Sequence, residues 1–130
     1  MTAVAALASY KQASSSTAGP GEVVRMAYER IITACNRAEY AEDEDNDLPN
    51  WMQVFHDETL RGQAILIELT AGLAISHPDP MVVNLAIHMQ DLYRYCIDQL
   101  VDANVAKNPE PLGDVRMVIG GLLDAWLRRA

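Results

Sequence analysis

Proline-bearing breaks at residues 14–20, 42–49, 77–80 and 108–111 divide this chain into a short leader and four long segments. Proline fixes φ and removes a backbone donor, so no helix continues undisturbed through those points. Between them the apolar residues recur at alternating intervals of three and four. In the first long segment the row is Val24, Tyr28, Ile31, Cys35 and Ala38; in the second it is Met52, Phe55, Thr59, Gly62, Leu66, Leu69 and Leu73; in the fourth it is Leu112, Val115, Ile119, Leu122 and Trp126. That spacing keeps one face of a helix turned inward. No run alternates β-branched and polar residues as a half-buried strand would. Four helices of about 18 to 27 residues with short connections predict an all-α fold, an antiparallel four-helix bundle with a short N-terminal leader. The 130 residues fit one domain, with the leader at 1–18 and the bundle at 19–130, and roughly two-thirds of the unfolded surface can be buried at that length without disulfides or a structural metal.

Local signals refine the boundaries. Gly19 before Pro20 starts the first helix, with Glu22 near the positive end of its dipole. A run of carboxylates is unfavourable at a helix C-terminus, so the first helix is predicted to fray near Tyr40 and to give way to a solvated acidic loop. Gly62, Gly120 and Gly121 each cost roughly 1 kcal/mol relative to alanine inside a helix, which predicts close helix–helix approach or local bending at those points.

The third helix departs from a simple amphipathic pattern. Its inward row reads Val82, Leu85, Met89, Leu92, Cys96, Leu100 and Ala103, yet Val83, Ile87, Tyr95, Ile97 and Val101 put apolar groups on other faces. One stripe cannot contain them all. In a four-helix bundle no helix is fully central, so part of this surface is expected to be covered by another chain.

Charge and cysteine usage narrow the function. The net charge is −8, but Glu39, Glu42, Asp43, Glu44, Asp45 and Asp47 supply six of the 18 acids, and without them 12 acids face 10 Lys and Arg. The arginines are scattered apart from the pair Arg128 and Arg129, so the basic stripe needed for nucleic acid is missing. The least charged stretch, 69–90, is split by Pro78, Asp79 and Pro80 into pieces of about ten residues, too short for the ~20 that span a bilayer. No nucleic-acid or membrane partner is expected. The apolar N-terminus lacks a basic flank, and Cys35 and Cys96 match no disulfide framework or metal spacing, which together point to the cytoplasm.

Catalytic constellations are missing too. A di-iron bundle needs inward Glu-x-x-His pairs, but Gln53, Ala74 and Leu85 stand three residues before His56, His77 and His88. His56, Asp57 and Glu58 are adjacent and therefore splayed around the helix, a pattern read as an exposed polar patch. No Gly-x-Ser-x-Gly elbow occurs, and Gly19-Pro20-Gly21 lacks the lysine of a phosphate loop. The chain is therefore read as a non-enzyme without metal or cofactor, whose working surface is an apolar shape suited to an amphipathic helix.

Taken in order, several short motifs resemble those of the flagellar secretion chaperones of the FliS type. They are Ala8-Ser9-Tyr10-Lys11-Gln12; Thr17-Ala18 before the proline-started helix with Glu22 and Tyr28; Gln63-Ala64-Ile65-Leu66-Ile67-Glu68-Leu69; Leu92-Tyr93-Arg94-Tyr95; Leu100-Val101-Asp102-Ala103-Asn104; Asp114-Val115; and Leu122-Leu123-Asp124-Ala125-Trp126. The resemblance implies an export chaperone that binds the disordered C-terminal region of flagellin, blocks premature assembly and assists type III secretion. It leaves room for contacts with the flagellar export gate and an anti-sigma factor. Cargo is expected against helices two, three and four, with Ile65, Leu69, Tyr93, Ile97, Leu100, Val101 and Asn104 as contacts. Each apolar member is read equally as bundle core or as groove, and Asn104 has a second reading as a helix-terminus cap. Leu7 and Tyr10 carry a further expectation, that the leader folds over the apolar surface until cargo arrives; an amphipathic tyrosine suits a reversible contact. The rival reading is a bundle adaptor or homodimer whose helix-three face pairs with itself.

Overall fold

The apolar rows become four helices, seen in a computed structural model that describes Tyr10 and residues 19–129. They are α1 (Pro20–Glu42), α2 (Trp51–Ala71), α3 (Pro80–Ala106) and α4 (Glu110–Arg129). Around the ring α1 packs on α2 and α4, and α3 packs on the same two. Short connections make each successive helix reverse direction. At one end of the bundle the indole Nε1 of Trp126 donates to the carbonyl of Gly21 at 3.1 Å, which ties the end of α4 to the beginning of α1.

The inward rows of α1 and α4 match the periodicity closely. Val24, Tyr28, Ile31, Cys35 and Ala38 are buried, as are Leu112, Val115, Ile119 and Trp126, while Leu122 is half-buried. In α2 the row holds from Phe55 to Leu73, but Met52 at the first turn is 58% exposed. Trp51 covers that end instead, with its ring edge-on to Phe55 at 6.4 Å.

In α3 the row is corrected. The buried residues are Val82, Ala86, Met89, Tyr93, Cys96, Leu100 and Ala103; Leu85 is only half-buried, and Leu92 is 37% exposed. Both rows obey the three-and-four rule, so periodicity could not choose between them. Packing chose the one that places the Tyr93 hydroxyl 2.7 Å from that of Tyr28 in the core. A buried phenol needs such a partner.

One further local expectation is corrected, and another is met at one of three glycines. Helix α1 continues through the acids to Glu42, because Ala38 and Ala41 are buried and hold that last turn against the bundle. The Asp43 amide closes on the Glu39 carbonyl, and Asn46 Nδ2 donates to the Tyr40 carbonyl from a 3-10 turn at Glu44–Asn46. Glycine at position 62 does mark close approach: a Cβ there would lie 3.0 Å from Leu100 Cδ1. At Gly120 and Gly121 a Cβ would meet nothing within 4 Å, so close packing does not explain those two.

The His-Asp-Glu run also differs from its predicted exposure. Asp57 is exposed and His56 half-buried, but Glu58 is buried, because position 58 lies on the flank of α2 that turns toward α1. Among the described residues no helix is long and apolar enough to cross a membrane, and no group of three His, Cys, Asp or Glu side chains could hold a metal ion.

Candidate partner-binding surface

Two contacts set the register of α2 against α3. Gly62 meets Leu100, and Asn104 Nδ2 lies 3.0 Å from Nδ1 of His56. An amide nitrogen can only donate, so Nδ1 accepts and the ring carries its proton on Nε2. Asn104 is also held from below: Lys107 Nζ donates to its carbonyl and to its Oδ1, both at 2.7 Å, while passing 6.0 Å from the centre of the Phe55 ring. Asn104 therefore joins two helices, and Lys107, in the left-handed conformation with φ 50°, closes α3.

This register identifies an apolar strip on the outside of the α2–α3 seam. Val101 and Ile97 stand three and seven residues before Asn104 and share its flank. On α2, Leu60 and Ile67 follow His56 at intervals that keep them on its flank. Ile97 is half-buried, whereas Leu60 is 43%, Ile67 58% and Val101 40% exposed. Ile87, 45% exposed, continues the strip about four turns earlier on α3. Leu60 and Ile67 were not among the contacts expected from the sequence. The signal was available, since both are apolar residues outside the inward row of α2, the same feature that singled out α3.

The other expected contacts separate. Leu69, Tyr93 and Leu100 are 7%, 0% and 1% exposed and take the core reading of the two that the sequence left open. The reason is geometric: they occupy the heptad positions at the centre of the bundle. Ile65 is on the opposite flank of α2, in a cleft against α1 with Arg30, Arg37, Glu58 and Arg61. It does not share a surface with Ile97 and Val101.

Of the leader residues, Leu7 lies outside the described residues. Tyr10 makes an isolated antiparallel bridge with Leu73, and its ring sits where a Cβ on Gly72 would approach to 3.3 Å. Its hydroxyl bonds that of Tyr93, extending a chain of three phenols through Tyr28. Tyr28 also packs edge-on to Trp126, with ring centres 6.4 Å apart. Burial pushes the Tyr28 and Tyr93 phenols well above their ordinary range, so both remain neutral hydrogen-bonding groups. Tyr10 thus plugs one end of the core, away from the Asn104 end of the strip.

Two comparisons with known proteins concern the chain as a whole. A family model described as flagellar protein FliS matches residues 3–129. The flagellar secretion chaperone FliS of Bacillus subtilis (strain 168) is 27% identical over 117 residues, covering 90% of this chain and 80% of that protein.

Proposed function

Because the chain belongs to the FliS family of flagellar proteins, we propose that it is a cytoplasmic export chaperone that binds the disordered C-terminal region of flagellin, prevents premature polymerisation and assists type III secretion. It acts by binding, without catalysis. The observation that carries this reading is the strip of exposed Leu60, Ile67 and Val101, with half-buried Ile97, beside the polar anchor Asn104. A row of aliphatic side chains along a helical seam suits the apolar face of an amphipathic segment. Flagellin's terminal segments are amphipathic and fold against partners, so the chaperone takes the place of the neighbouring subunit. Ordering such a segment costs some 2 to 5 kcal/mol or more, which keeps release accessible. The export gate and an anti-sigma factor are further partners within the same proposal.

Mixing the protein with full-length flagellin, and with flagellin lacking its last 40 or so residues, tests this reading by light scattering; a tail of that length forms ~60 Å of helix. A 1:1 complex is expected with the full-length protein and none with the truncated one. Val101→Glu places a charge in the strip and should weaken the complex about 100-fold while circular dichroism stays unchanged. A concentration-independent dimer that ignores the tail would instead support the adaptor reading.

Tyr10 is proposed to act as a reversible plug that leaves its Leu73 and Tyr93 contacts when cargo arrives. Tyr10→Ala should raise binding of an apolar dye and alter affinity for the flagellin tail. If neither changes, the leader has no such role.

A further inference from the structure

We propose that the cleft between α1 and α2 is a second docking site, separate from the apolar strip, for an acidic segment of a partner protein that carries hydroxyl or amide donors beside its carboxylates. The cleft, about 490 Å³ in volume, is lined by Arg30, Thr33, Arg37, Glu58, Arg61 and Ile65. Its floor holds an anomaly. The Glu58 side chain is only 9% exposed, and its Oε2 has no hydrogen-bond partner. The other oxygen, Oε1, lies 3.7 Å from an Arg61 nitrogen, an ion pair too long for a hydrogen bond. A buried acceptor without a donor is costly, and a ligand that supplies one recovers that loss.

The rim selects the sign of the ligand. In a chain of net charge −8, three guanidiniums gather around one carboxylate, and Arg30 and Arg37 have no ion-pair partner among the described residues. The surplus positive charge repels a lysine or arginine that would otherwise pair with Glu58. It attracts carboxylates, which guanidinium groups bind in forked geometry. The donor for Oε2 must then be neutral, a hydroxyl or an amide on the same segment.

The cleft also has a direction. A second hollow of about 400 Å³ shares Thr33 and Arg37 with the first and continues past Tyr40, Leu48 and Val54. From Arg30 to Tyr40 the helix rises about 15 Å. A bound segment would therefore lay acidic and hydroxyl side chains over the arginines and apolar ones beyond Arg37.

The test uses a fluorescein-labelled peptide of about ten residues, alternating glutamate and serine and ending in two leucines, read by fluorescence anisotropy against the full-length protein. Companion peptides replace the glutamates with lysine, or the serines with alanine. The glutamate–serine peptide is expected to bind, more weakly as salt rises, and the lysine peptide is not. Arg37→Glu and Arg61→Glu, both at exposed positions, should each weaken binding about tenfold. Glu58→Leu, a swap that buried carboxylates often tolerate, should abolish the preference for serine over alanine. Equal binding of the acidic and basic peptides, no binding at all, or indifference to both arginine substitutions overturns the proposal. So does salt-sensitive self-association of the protein that Arg37→Glu abolishes, because the cleft would then belong to a second copy and its acidic loop.

Discussion

Raising the pH from about 9 to about 11 is expected to destabilise this protein steeply. Cys35 and Cys96 are buried free thiols, 1% and 0% exposed, and burial pushes both up to about 12 from an ordinary value of about 9. At Cys35 the nearby Arg116 pulls in the opposite direction without overcoming burial. Below about pH 9 the thiols are protonated in both states, and the native fold keeps its full stability. Above that the unfolded chain ionises while the folded one cannot. Each thiol then removes ~1.4 kcal/mol per pH unit until the pH reaches the folded value. The Tyr28 and Tyr93 phenols, held high by burial, join above about pH 10. By pH 11 the four groups together remove up to about 8 kcal/mol, comparable with the 5–15 kcal/mol that stabilises a typical domain. Urea midpoints measured by circular dichroism should fall steeply over that range. Cys35→Ala should flatten the slope by one proton's worth, and a midpoint unchanged to pH 11 would rule out the buried-thiol account.

The second large effect concerns the contact between Gly62 and Leu100, which sets how closely α2 and α3 approach. Leu100→Ala deletes a fully buried side chain and should cost about 3 kcal/mol. Gly62→Leu drives a side chain into the space that Leu100 Cδ1 already fills at 3.0 Å, and a loss of similar size is expected. Gly62→Ala should be nearly neutral, because the flexible end of Leu100 can shift and the helix gains ~1 kcal/mol of propensity. The double variant Gly62→Leu with Leu100→Ala moves the side chain from one helix to the other and refills the gap. Its loss of stability should fall short of the sum of the single losses by about 2 kcal/mol or more. Additive losses in a chemical denaturation cycle would show that these two positions do not share one packing site.

Much of the fold was legible because a heptad row reports its own helix directly. Val24 to Ala38 and Leu112 to Trp126 pointed inward as their spacing required. The surplus of apolar residues on the third helix also showed that some of them would stay exposed, and Ile87, Tyr95 and Val101 do. The site itself was less legible. Ile65 and Ile97 looked equivalent as aliphatic residues just off an inward row. Yet Ile65 faces the arginine cleft beside α1, while Ile97 shares the flank of Asn104, which joins α3 to α2. Leu69, Tyr93 and Leu100 looked like candidates for a partner and are core.

The positions of proline and the three-and-four rhythm, both properties of the chain taken one segment at a time, were enough to specify four helices and most of their inward faces. On α3 the row shifted at two positions, Ala86 for Leu85 and Tyr93 for Leu92, where Tyr93 pairs with Tyr28 across the bundle. The burial of Glu58 in a cleft that three arginines also line came from the approach of α1 to α2. Periodicity describes each residue relative to its own helix axis; the neighbour that each flank meets is set by the order and register of the helices, which exist only after they have packed.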